Sequence, residues 1–142
     1  MLAGRERGSI HLLFPAAFLV MIVLGAIVID VGLSQVRARE LEAVASSAAN
    51  DALGALDLDA LRENGEVRFD VAHAERIVQQ AVANGALTDA VVLDVALSTN
   101  GLGEPQIDVT LQLQVEFVIA PALPGGLDST TITRTRSASV LG

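Results

Sequence analysis

The chain has 142 residues, a formal net charge of −8 and a mean hydropathy of +0.52, with 51% hydrophobic residues but only 3% aromatic ones. It contains no Cys, which excludes disulfides, thiol nucleophiles and thiolate metal sites, and no Trp or Tyr, so it lacks the usual interfacial aromatic belt. The stretch up to Val44 is neutral overall, so the acidic excess lies beyond it, and an acidic exposed domain repels nucleic acid and anionic headgroups alike.

Residues 1–9 form a short basic leader with Arg5 and Arg7 beside Glu6. From Leu12 to Ile29 no residue is charged, and a helix over those residues would be roughly 27 Å long, close to the thickness of a bilayer's hydrocarbon core. A helix that is apolar on every side needs lipid or a large protein interior, and a chain this short offers no such interior. The expected anchor is therefore a transmembrane helix over 10–30. Its apolar run is longer than the core of a cleaved secretory signal, and no small-x-small site follows it, which favours a permanent span. Pro15 reads as a first-turn residue, where its missing N–H costs little.

Arg5 and Arg7 before the span are balanced by Arg37 and Arg39 after it, so the positive-inside count is tied. The free amino terminus and the acidic tail break the tie toward an amino terminus inside and a carboxyl-terminal domain outside. Gly25 and Gly32, with Ala17, fall roughly on one helical face. Either another helix packs there or glycine is simply common in membrane helices. Asp30 closes the run. It reads as a boundary marker at headgroup level, or as a partner for an Arg or amino terminus of a neighbouring subunit.

After Asp30 good helix formers continue without Pro, and Leu41, Ala45, Ala48, Ala52 and Ala55 recur at spacings of three and four. Small side chains let another helix or a sheet approach closely. The spacing predicts an alanine-rich stem helix over 31–64, outside the membrane, stopping at Asn64-Gly65. Ala45, Ala48 and Ala52 are then candidates for subunit contact.

The leader RERGSI, the span closed by Asp30-Val31-Gly32 and the following RARELEAVASSAANDA together resemble the start of TadE/TadG-like proteins of the Flp (tight adherence) pilus system. Arg7, Gly8, Ser9, Asp30, Arg39, Leu41, Ala43, Ala45, Ala48 and Ala49 carry the resemblance, over roughly the first 55 residues. Glu42 stands where Gln is usual and Ser46 where Asp is usual. The resemblance implies a pilin-like or accessory subunit whose partners are the lipid bilayer and other pilus or secretion subunits. It also implies a prepilin peptidase site at Gly8-Ser9. Prepilins carry Glu at the fifth position after the cut, where this chain has Leu13. That departure favours a membrane-resident accessory subunit over a major filament subunit.

Residues 65–142 read as a small α+β domain outside the membrane. Asp70 is a suitable N-cap for a helix whose apolar face is Val71, Ile77, Val78, Ala81 and Val82, ended by Asn84-Gly85. Val91, Leu93, Val95 and Leu97 alternate with Val92, Asp94, Ala96 and Ser98. Ile107, Val109, Leu111, Leu113, Val115 and Phe117 then alternate strictly with polar residues, which predicts a strand with one buried and one wet face. A Pro/Gly connection, PALPGG, leads to a Thr-rich last strand over 129–140. A three-stranded antiparallel meander, covered on one face by the helix and the stem, hides these stripes. Pairing across PALPGG would set Gln112 and Gln114 opposite Arg136 and Arg134 on the wet face, near Asp94 and Glu116. That row is either a solvated surface or a subunit-docking face.

The search for chemistry returns little. His11 and His73 have no second His at ligand spacing, so no metal is expected. Asp57-Leu-Asp59 with Asn64-Gly65 resembles a calcium loop only faintly, because Arg62 occupies the position that needs Gly. Gly101-Leu-Gly103 opens no helix and reads as a hairpin connection and not a phosphate cradle. No catalytic pair, cofactor site or small-molecule substrate is expected. The functional expectation is a structural pilin-like or accessory subunit of a pilus or secretion apparatus. The alternative is a membrane-anchored binding, sensing or maturation module that enters no filament.

Overall fold

The computed structural model describes residues 9–65, 67–122 and 125–140. Its first element, α1, runs unbroken over Ser9–Ala52, 44 residues or about 66 Å at the usual helical rise. Pro15 sits inside this helix, one turn deeper than a first-turn position. The helix is long and apolar enough to cross a membrane. From Leu13 to Ile29 its large side chains are exposed except Val23, which is half-buried, and Ala26 is buried, whereas Leu41, Ala45, Ala48, Ala49 and Ala52 are fully buried on one face.

The helix does not reach Asn64. After a 3-10 turn over Leu53–Ala55 the backbone extends at Leu56, which forms a single bridge with Phe69. Two backbone hydrogen bonds, Asp57 N to Arg68 O and Asp70 N to Ala55 O, fasten the same bridge. Asp57 then caps a short second helix, α2 (Leu58–Asn64), accepting from the amides of Asp59 and Ala60, and Gly65 ends it with φ +69°. The expected stem over 31–64 is thus two helices. Asp57 serves as the cap of the second.

The third helix, α3 (Val71–Ala83), begins where expected, because Asp70 Oδ1 accepts the His73 amide at 3.0 Å. It buries Ala74, Val78 and Val82, with Ile77 and Ala81 partly covered, while Val71 stays outside. The sheet follows as β1 (Val91–Thr99), β2 (Pro105–Glu116) and β3 (Ser129–Ser139), antiparallel in the order β1-β2-β3. α1 packs on β2 and β3, α3 packs on β1, and the two helices pack on each other. The protein is therefore α+β, with its core of alanines, valines, Leu41, Ile107 and Leu111 between the helices and one face of the sheet.

Two parities differ from the sequence expectation. The β1–β2 register shifts between Val92 and Asp94, a bulge that leaves Leu93 exposed and turns Val92 inward and Val91 outward. Across the β2–β3 connection Gln112 pairs with Thr133, and Gln114 with Thr131, while Arg134 and Arg136 pair with buried Leu111 and Val109. Because strand side chains alternate, the two arginines lie on the helix side of the sheet. The wet face instead carries a ladder of Gln, Thr and Ser, including a 2.9 Å hydrogen bond between the Thr110 and Thr135 hydroxyls and one of 3.0 Å from Gln114 to Ser129.

Candidate functional site

Among the described residues, the charged side chain that is buried lies where α1 leaves its apolar run. Asp30 is a charged residue only 4% exposed. Its carboxylate accepts three backbone amides from the segment after β2: Val118 N at 2.9 Å on Oδ1, Ala120 N at 2.7 Å on Oδ2, and Ile119 N at 3.2 and 3.3 Å across both oxygens. A buried carboxylate is tolerated only when its lone pairs are engaged, and here consecutive amides engage both oxygens. The segment then turns as a 3-10 element over Ala120–Ala122 that packs on α1. Ala26, one turn back on the same face of α1, is buried as well. Ser34, one turn on, donates to the Asp30 carbonyl at 2.9 Å.

Asp30 is thus held by its own chain, 88 to 90 residues away in sequence. Nothing in its local sequence marks that partner. The readable signal is weaker: residues 117–127 contain no polar side chain, so the backbone amides there must find acceptors outside the segment's own side chains.

Farther along α1 a second link joins helix and sheet. The Arg136 guanidinium pairs with the Glu42 carboxylate, both half-exposed, which fixes β3 against the stem. Arg134 donates to the carbonyl of Thr133 at 2.9 Å. Neither arginine lies in the wet-face row expected with Gln112 and Gln114. Arg37 pairs with Glu40 at 3.1 Å along the helix.

Of the residues marked for subunit contact, Ala45, Ala48 and Ala52 are fully buried under the chain's own sheet and α3. Their small size serves an intramolecular approach and leaves no room for a partner helix. Gly25 and Gly32 are open: a Cβ at either meets nothing within 4 Å. Ser9 opens α1, and Gly8 lies outside the described residues.

Two open hollows flank the stem. One, of about 510 Å³, is lined by Leu33, Arg37, Leu87, Asp89, Leu113 and Glu116 among others; the second, of about 520 Å³, lies between α1 and α3 beside Ser47, Asp51 and Asn84. Among the described residues no cluster of three or more His, Asp or Glu could hold a metal ion. The 100–104 turn is a hairpin connection closed by Asn100, whose side chain accepts from Leu102 and Glu104, with Gly103 at φ +80°. No protein-family model, curated protein or solved structure matches this chain.

Proposed function

We propose that the chain is a single-pass, pilin-like or accessory subunit of a Flp/Tad-type pilus or related secretion apparatus. Its amino terminus is inside, its sheet domain is outside, and it acts by helix–helix and domain packing without catalysis. The observation that carries this reading is one unbroken helix with two kinds of surface: an apolar half bare around most of its circumference, Ala26 being its buried exception, and an alanine half sunk into a small sheet. A rod of that form leaves its exposed half to lipid and to neighbouring helices, while the sheet domain is presented beyond them. The resemblance of the first 55 residues to TadE/TadG-like proteins supplies the machine. Gly25 and Gly32, open on the exposed half, are the remaining candidates for helix contact.

Two observations favour a second reading, a membrane-anchored recruitment or maturation module outside any filament. Leu13 replaces the prepilin glutamate, and the alanine stripe is already filled by the chain's own core.

Mass spectrometry of the mature amino terminus separates the two. A peptide beginning at Ser9 supports a processed pilin-like subunit, and one beginning at Met1 or Leu2 supports the resident module. Oxidative crosslinking of Gly25→Cys and Gly32→Cys in native membranes is expected to trap adducts with pilus or secretion subunits. A membrane-embedded chain that yields no such adduct would contradict the subunit reading.

A further inference from the structure

Resting on the membrane-anchored reading above, we propose that the turn after β2 is a second membrane contact. It lays Val118 and Leu127 into the boundary between lipid headgroups and acyl chains beside α1. The hydrogen bonds to Asp30 fix its level. Val118, Ile119 and Ala120 lie within hydrogen-bond reach of the residue that ends the apolar run, Ala120–Ala122 packs on α1, and Ala26, a turn deeper on that helix, is buried. Whatever solvent surrounds α1 just below Asp30 therefore meets this turn too.

The side chains suit that depth. Val118 is 70% exposed and Leu127 69% exposed, and no charged residue occurs between Glu116 and Asp128. Those two acids mark the edge of the apolar patch: the Phe117 amide donates to the Asp128 carbonyl, closing the base of the sheet just above it. The opposite end of the sheet differs. Its connection, 100–104, contains Asn100 and Glu104 bonded to each other and a single exposed apolar side chain, Leu102. One end of the domain is thus apolar and continuous with the bare half of α1, and the other is polar and remote from it. An apolar face at a bilayer interface buries to a depth of about 5–10 Å, roughly one to two helical turns along α1 from Asp30, whose carboxylate this turn already meets. Two contacts, a span and an apolar turn, would fix the tilt of the sheet domain over the lipid where one span would leave it free to swing.

The chain has no Cys, so single thiols can be placed without background. Val118→Cys, Leu127→Cys, Leu19→Cys in the apolar run and Thr133→Cys on the wet face would be made in the full chain. Each would be labelled with an environment-sensitive fluorophore and reconstituted into phosphatidylcholine vesicles, with circular dichroism to confirm folding. Positions 118 and 127 are expected to show blue-shifted emission, quenching by a lipid-borne spin label near the headgroup, and a loss of iodide quenching relative to position 133. Lipid quenching at position 19 together with full iodide access at 118 and 127 would overturn the proposal and leave the span intact. Iodide shielding there without lipid quenching would also overturn it, in favour of a protein contact. Water access at position 19 would sink the span and this inference with it.

Discussion

The two halves of α1 share one backbone and one handedness, yet they solve opposite problems. The first half places Phe14, Phe18, Leu19, Ile22 and Leu24 around its whole circumference, all exposed. The second half restricts its buried face to Leu41 and alanines and turns Glu40, Arg39 and Ser46 outward. Charge distinguishes their outer surfaces, none over 12–29 against Arg37, Arg39, Glu40, Glu42 and Asp51 beyond. Side-chain size distinguishes their apolar ones: an open helix surface accepts any bulk, whereas a sheet packed on a helix fixes the distance between them and accepts only what fits. Asp30 stands at the joint, where the last exposed turn meets the first one covered by the domain.

Substitutions can break this contrast, and the largest effect comes from truncating the one large buried side chain of the stem. Leu41→Ala should destabilise the folded domain by about 2–5 kcal/mol, because it leaves a cavity under the sheet. Leu24→Ala, in the bare half, should change it by less than about 0.5 kcal/mol. Chemical denaturation of the detergent-solubilised chain, followed by circular dichroism, measures both. Adding bulk reverses the logic. Ala48→Leu should cost about 1–3 kcal/mol by overpacking, while Ala17→Leu, exposed in the first half, should be neutral in the same assay.

Asp30→Asn tests the joint at nearly constant volume. The amide brings two donors to face three backbone donors, so the turn after β2 should release. Hydrogen exchange at Val118, Ile119 and Ala120 should rise while exchange in β2 stays slow. Among the contacts that join α1 to the domain, the smallest effect belongs to the Glu42–Arg136 pair, half-exposed on both sides. Glu42→Gln should cost below about 1 kcal/mol, and less still as salt rises.

The sequence disclosed most where a pattern is local. Strict alternation over 107–117 marks β2, which ends one residue earlier at Glu116, because a sheet with one covered face imposes a period of two, and Asp70 marks the start of α3 because a cap acts within three residues. It failed where position depends on distant partners. Gln112 meets Thr133 and not Arg136, a slip of three residues across a connection whose length does not set the register, and an odd slip exchanges the two faces. That exchange is why Arg136 reaches Glu42 and does not stand in a polar row. The stem looked continuous to Asn64 since its residues all favour helix, but the Leu56–Phe69 bridge interrupts it through a contact thirteen residues apart. Asp30 was legible as an anomaly. Its partners were not, being amides that carry no side-chain signature.

The proposed function and the second membrane contact both require that the bare half of α1 be solvated by lipid. The direct test is alkaline-carbonate extraction of membranes containing the full chain, followed by immunoblotting. An integral span keeps the chain in the pellet until detergent is added. Recovery of the folded, monomeric chain in the carbonate supernatant would contradict it.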